Sequence, residues 1–459
     1  MAHPTRSRTR CPVEHLRRSF AQADGLPFAD VLPAARVERA IREEDADWRE
    51  ATYTPALTLW AFLTQVVSPT ACCRAAVGRV IAWLVARDEP PCGSGTGGYC
   101  KARGRLPEGL IRRLMQETGR ALHDAAPREW LWRGRRVLIA DGTGVSMPDT
   151  AANRAAYPQS VSQAPGVGFP QLRLVALFSL SVGAVVDAAV GPSRGKQSGE
   201  NALLRTLADA IAAGSVLLGD RYFGGWFDVA MWQTRGIDVV VRLHPGRSTD
   251  FRRGQRIGSG DHAVRWAKPQ RPAWMTRDEY LALPAELRIR PVRVRVGQPG
   301  FRTQSLVVAT TLTDGAVTAA EIADLYRRRW HVELDLRSVK GTLGMDVLRC
   351  LSPGMVRKEV WAHLLAYNLL RTALAQAAAD GGCEPRALSV AGVVQALAAF
   401  AEVLAMGTGY AALVTFVLAY RVGNRPDRVE PRMRKRRPKS YPLLPVPRVE
   451  ARRRLLRSP

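Results

Sequence analysis

The sequence predicts a mixed α/β protein, with a helical region before the sheet and a helical, basic region after it. Three observations carry that prediction. From about residue 136, short apolar runs and helical spacing follow in the order strand, strand, strand, helix, strand, helix, strand. Before residue 128 and again from about 319, apolar residues recur instead every three to four positions. The chain of 459 residues is longer than one core can fill, so two to four folding units are expected.

Residues 1–34 form a basic N-terminal segment without the apolar stretch of a signal peptide. Residues 35–128 read as helical, with Leu57, Leu59, Trp60, Phe62 and Leu63 opening one run and Leu110, Ile111 and Leu114 another. Between them Gly93-Ser-Gly-Thr-Gly-Gly-Tyr99 signals a loop, followed by Lys101, Arg103 and Arg105. Such a module suits either DNA-end binding or plain helical packing.

The strand-like runs come next. Val137-Leu-Ile-Ala140 ends in Asp141-Gly142. Leu172–Leu180 and Ala184–Val190, joined by Ser181-Val-Gly183, read as a hairpin. Glu200–Ile211 carries apolar residues at 203, 204, 207 and 211 and reads as a helix opened by Glu200, whose carboxylate suits the positive end of the helix dipole. Val216-Leu-Leu218 ends in Gly219-Asp220, and Asp238–Leu243 is a further buried strand. Residues 245–310 then form a β-rich insertion, in which Arg293 and Arg295 alternate with Val292, Val294 and Val296. A period of two puts the arginines on one face, to track a phosphate backbone or simply to meet solvent. Helices are expected over 319–343 and 356–380. Residues 381–430 follow as a helical region, in which the apolar run Val403–Tyr420 reads as a buried helix rather than a membrane span. The Pro- and Arg-rich tail, 431–459, is expected to be extended.

Lys and Arg total 67 against 41 Asp and Glu, a net charge of +26. Residues 421–459 hold 14 basic against 3 acidic side chains, and residues 245–310 hold 13 against 5. Such an excess points to a polyanionic partner, above all nucleic acid; a ribosome-associated or membrane-surface protein would also explain it. The seven cysteines have neither the number per length of a disulfide framework nor the spacing of a zinc site, which fits reduced thiols in the cytoplasm.

Asp141 and Asp220 each end an apolar strand, where functional groups gather in open α/β sheets. Two converging carboxylates repel unless a cation lies between them, and Mg²⁺ takes such hard oxygen donors; an aspartate ending a strand also serves as a plain turn residue. The segment Tyr326-Arg-Arg-Arg329-Trp-His-Val-Glu333-Leu-Asp-Leu-Arg-Ser-Val-Lys340 is more specific. At about 100° per residue, Tyr326, Arg329, Glu333 and Lys340 fall within a stripe of about 60° around a helix. A carboxylate flanked by two cations and a phenol suits a metal ion with DNA phosphates beside it, or an exposed face with intrahelical ion pairs.

The pattern resembles insertion-sequence transposases of the DDE class, in the IS-four-like group marked by Tyr-x2-Arg-x3-Glu-x6-Lys. Tyr326, Arg329, Glu333 and Lys340 match it at every spacing. Ile139-Ala-Asp141-Gly-Thr143 and Leu217-Leu-Gly-Asp220-Arg-Tyr-Phe223 look like that family's two Asp motifs, with further likeness at Gly195–Glu200 and Trp361–Asn368. Gly144 departs from the pattern, standing where this group often has a second hydroxyl.

The resemblance implies a ribonuclease-H-like core over 129–380, interrupted by the insertion at 245–310. It implies two Mg²⁺ ions per site, with Mn²⁺ as a substitute, held by Asp141, Asp220 and Glu333 as the catalytic carboxylates. Arg329 and Lys340 would hold phosphates, and Tyr326 a phosphate or base. Trp266 and Trp274, in the basic insertion with Arg293 and Arg295, are candidates for holding a displaced base, or are insertion core. The expected partners are double-stranded DNA, as terminal inverted repeats and target, and a second copy of the chain, paired through 381–430; no membrane partner is expected, and the setting is the cytoplasmic nucleoid. His331 is expected to pack or face solvent. Two rival readings use the same features: a nuclease of the same fold that does not join ends, and a transposase-derived DNA-binding protein without catalysis.

Overall fold

The computed structural model describes residues 34–44, 48, 52–68, 70–160, 164–247, 249–295, 305–400, 403, 408–422 and 446–457. The N-terminal basic segment up to residue 33, Val296 and tail residues 431–445 lie outside them.

Among the described residues, nine strands form one sheet in the order β3-β2-β1-β4-β5-β9-β8-β7-β6. They span Val137–Ser146 (β1), Gln171–Ser179 (β2), Val185–Pro192 (β3), Val216–Gly219 (β4), Asp238–Arg242 (β5), Gln255–Gly258 (β6), Asp261–Ala267 (β7), Glu286–Arg295 (β8) and Ser305–Thr310 (β9). β1 lies antiparallel to β2 and parallel to β4, and β4 lies parallel to β5. Carboxyl ends of three parallel strands therefore lie side by side. β5 then pairs antiparallel with β9, so the strands of the basic insertion extend the central sheet instead of forming a separate layer.

Alternation along the strands separates two cores. Leu138, Ala140, Leu217, Val239 and Val241 pack on one face with Leu203, Leu204, Trp226 and Trp232. Ile139, Val145, Leu218 and Val240 pack on the other with Leu110, Ile322, Val332 and Leu365.

The helices before the sheet are α1 (Ala34–Glu43), α2 (Pro55–Val67), α3 (Cys73–Val85), α4 (Gly97–Arg105) and α5 (Glu108–Asp124). α4 begins inside the glycine-rich run, which corrects the expected basic loop: Lys101, Arg103 and Arg105 ride on a helix. Arg103 donates to Gln65 Oε1 at 2.9 Å and lies 5.0 Å over the Phe62 ring, so it serves packing. Within and after the sheet come α6 (Ala151–Ala156), α7 (Glu200–Arg205), α8 (Trp226–Thr234), α9 (Arg277–Ala282), α10 (Ala319–Arg328), α11 (His331–Arg337), α12 (Pro353–Asp380), α13 (Val390–Ala399), α14 (Tyr410–Ala419) and α15 (Arg448–Arg457). The helix expected over 200–211 is shorter, ending at Arg205 before a 3₁₀ turn at Ala208–Ala210.

α12 is buried along most of its length and ties the layers together. Its Asn368 accepts from Val185 N at 2.8 Å and donates to Met115 O and Val185 O, joining α5 to edge strand β3. That close approach requires Gly119, where a Cβ would lie 1.8 Å from Val185 O.

No helix among the described residues is long and apolar enough to cross a membrane. The run 403–420 yields the ten-residue α14, preceded by Gly409 at φ 77°. The tail corrects its expected extended form where it is described. Residues 448–457 are helical, with Arg448 3.4 Å over the Phe169 ring and donating to Asp149 Oδ2 at 3.1 Å. The six described cysteines are all free thiols.

Candidate active site

Asp141 follows Ile139 on the same face of β1, and Asp220 follows Leu218 by two residues at the end of β4. Ile139 and Leu218 are register partners, so the two aspartates stand at equivalent places on neighbouring parallel strands. Asp220 is fixed by accepting from Tyr222 N at 2.7 Å, and Asp141 by accepting from Gly142 N at 2.8 Å. Burial, then the charges of Asp220 and Glu200, push the Asp141 carboxyl up to about 6 against the pull of the Gly142 amide and Arg329.

The signature segment meets these residues from α10 and α11. Its helix is less regular than the spacing assumed. Arg329 N bonds Tyr326 O and Glu333 N bonds Trp330 O, tight three-residue turns, whereas residues 338–342 form a wide π turn closed by Leu343 N to Ser338 O. Overwinding and underwinding offset each other, so the stripe survives.

Arg329 stands between carboxylates, with Nη1 4.0 Å from Asp141 and Nη2 donating to Glu333 at 3.3 Å. Lys340 Nζ donates to Thr143 Oγ1 at 3.1 Å and to Gly144 O at 2.9 Å. The Gly144 carbonyl thus engages the lysine where the family often has a hydroxyl. Tyr326 is buried, with Arg329, Arg242 and Asp220 as its charged neighbours, and burial raises its phenol.

The opposite face of α11 is an anchor. Asp335, fully buried, accepts from Tyr367 Oη at 2.9 Å and from Arg386 at 2.7 Å and pairs with Arg371. This network clamps α11 to α12 and so fixes where Glu333 stands. His331 belongs to this side, where burial and then Arg386 hold its imidazole down at about 4.

The remaining sequence candidates are not brought to this site. β8 lies four strands from β1, about 19 Å at ordinary strand spacing. Arg293 and Arg295 are exposed there and Val292 and Val294 buried, as the alternation predicts, with Arg293 4.5 Å over the Phe251 ring. Trp266 and Trp274 are half-buried, each with a guanidinium on its ring: Arg247 at 4.3 Å and Arg205 at 3.5 Å. Trp266 also borders an 870 Å³ cleft with Arg253, Arg265 and Arg288.

Near the site, sequence reasoning missed Arg242 and gave Glu200 only a structural role at the start of its helix. Arg242 ends β5, the third parallel strand, beside Tyr326; the strand-end rule that singled out the aspartates would have found it. Glu200 lies against Gly142, where an added Cβ would sit 2.6 Å from the glutamate Cδ.

Residues 132–369 match the transposase DDE domain. The chain belongs to the DDE transposase family. Among its relatives, the DDE protein is 28% identical over 278 residues to the transposase InsG of insertion sequence element IS4 from Escherichia coli (strain K12), covering 59% of this chain and 59% of that one. It is 34% identical over 65 residues to the transposase of insertion sequence element IS421 from Escherichia coli, 14% of this chain and 18% of that one. A cryo-EM structure of a piggyBac transposase synaptic complex with hairpin DNA superposes with a TM-score of 0.43 at 9% identity, over 90% of this chain and 82% of that one, a likeness too weak to carry an argument.

DDE domains generally use divalent metal ions, and the donors here suit them in kind: hard carboxylate oxygens at two fixed strand ends and a third on a helix. Among the described residues no three such groups are drawn close enough to chelate an ion by themselves. Arg329 instead supplies the positive charge between Asp141 and the half-exposed Glu333.

Proposed function

We propose that this chain is the transposase of an insertion sequence, cutting DNA at the element's ends and joining them to target DNA by in-line phosphoryl transfer on a ribonuclease-H-like core. One observation carries the reading: strand-end carboxylates Asp141 and Asp220 meet the Tyr326-Arg329-Glu333-Lys340 stripe in one place.

Asp141, Asp220 and Glu333 hold the divalent ions, with Mg²⁺ the best match to the oxygen donors and Mn²⁺ a substitute. Two such ions, when bound, would supply activation of a water or a DNA 3′-hydroxyl and neutralisation of charge on the leaving oxygen. Arg329, released from Glu333, holds a phosphate through its planar fork, and Lys340 holds a second beside β1. Tyr326 orients the cleaved end by its hydroxyl. The exposed arginines of β8, on the sheet face away from the aspartates, and the cleft beside Trp266 offer further contacts to the DNA backbone. Pairing of two ends requires a second copy of the chain, with residues 381–430 as its contact, and the helices of 35–128 read the terminal repeats.

The test is cleavage of DNA bearing the element's terminal repeats in Mg²⁺, comparing wild type with Glu333→Ala. The reading predicts nicking at the repeat boundary and joining by wild type, and binding without either by the variant. Cutting without joining, indifferent to the repeats, would favour a nuclease. Binding without cutting by both proteins would favour a DNA-binding derivative.

A further inference from the structure

Glu200 opens α7 and was expected to serve only the dipole of that helix. Its surroundings suggest another use. Asp141 and Thr143 lie on the α11 face of β1, so Gly142 between them faces the other side of the sheet. There a Cβ on Gly142 would meet Glu200 Cδ at 2.6 Å and Oε1 at 2.7 Å. The carboxylate therefore occupies the space that the missing side chain leaves, one residue from Asp141. β4 stops at Gly219 while β1 runs on to Ser146, which opens a notch in the sheet beside Asp220. Asn201 holds the start of α7 at this notch by donating to Tyr222 O at 2.8 Å, in the turn that follows Asp220.

Glu200 forms no hydrogen bond or ion pair with a described residue; its charged neighbours are Arg173 and Asp220. Arg173 already donates to Ser198 O at 2.8 Å. A carboxylate serving only to cap α7 gains nothing from standing near two aspartates, where like charges oppose it. One facing a cation held by those aspartates does.

We infer that Glu200 is a fourth carboxylate of the metal site, approaching the ions of Asp141 and Asp220 from the opposite face of the sheet. The inference rests on the metal-site reading above. Gly142 is then required as the opening through which Glu200 reaches them.

Binding of Mn²⁺ to the full chain without DNA, followed by the electron paramagnetic resonance of the free ion, tests this. Glu200→Gln keeps the side chain's size, and it should weaken Mn²⁺ binding about ten-fold or remove one bound ion, with an unchanged melting temperature. Should that variant not fold, Glu200→Asp, which withdraws the carboxylate, gives the same comparison. Unchanged Mn²⁺ binding, with or without a lower melting temperature, overturns the role and leaves Glu200 a helix-opening residue. Asp141→Asn separates the two levels. If it abolishes binding while Glu200→Gln does not, only the Glu200 role falls; if neither changes binding, the metal-site reading falls as well.

Discussion

Arg329 is the residue on which the candidate site turns, because without bound ions its guanidinium is what keeps Asp141 and Glu333 apart in charge. Replacing it with alanine is expected to lower strand transfer by about 10²–10³-fold, the usual loss for one charge-stabilising donor, while leaving the fold intact. Single-turnover joining together with thermal melting checks both parts. A different set of residues sets the acid limit of the fold. Burial holds His123 at about 4 and lowers His331 and His363 as well. Their folded-state values lie below the unfolded one, so the stability they contribute is complete above about pH 6.5 and is lost as pH falls toward 4. For His123 alone the loss between pH 7 and pH 5 is about 2 kcal/mol, and His123→Gln should flatten the fall in melting temperature over that range. At this scale the aspartates and the stripe were legible in sequence, since a strand end and a helical period are local signals. Glu200 was not: its nearness to Asp141 depends on the empty face of Gly142 and on where α7 begins.

Among the elements, α11 carries opposite duties on its two faces, with Glu333 toward the site and Asp335 locked to α12. Removing Asp335 leaves Arg371 and Arg386 buried without their counter-charge, so Asp335→Ala should cost about 3–5 kcal/mol in denaturant unfolding. Activity should fall with it, as Glu333 loses its support. Gly119→Ala tests a second junction; forcing a Cβ against Val185 O should cost about 3 kcal/mol by separating α5 from β3. The sequence marked Trp361–Asn368 as a motif but not its work, which is to hold Asp335 through Tyr367 and β3 through Asn368. It also smoothed the broken helix at 329–330 and the π turn at 338–342 into one regular period. The π turn carries Lys340 onto β1, a tertiary contact that no local pattern encodes.

For the whole molecule, the alternation of class along the chain revealed a mixed α/β layout, and the charge pointed to a polyanionic partner. It did not reveal that the basic insertion continues the central sheet, because the pairing of β5 with β9 joins segments more than sixty residues apart in sequence. Continuity matters for function, since it holds the exposed arginines of β8 rigidly relative to the aspartates, on the opposite face of the sheet. Arg293→Ala with Arg295→Ala should therefore reduce the slope of log affinity against log salt by about 2 and leave the chemical step on bound DNA unchanged, as fluorescence anisotropy across a salt series would read. The central claim is that Asp141, Asp220 and Glu333 act as one unit in phosphoryl transfer. The direct measurement is joining of a pre-cut repeat end to a plasmid in Mg²⁺ by Asp141→Asn, Asp220→Asn and Glu333→Gln, with binding of the end measured in parallel. The account predicts that each single variant binds the end and loses joining to a similar, near-complete extent. Joining at the wild-type rate by any one of them would contradict it.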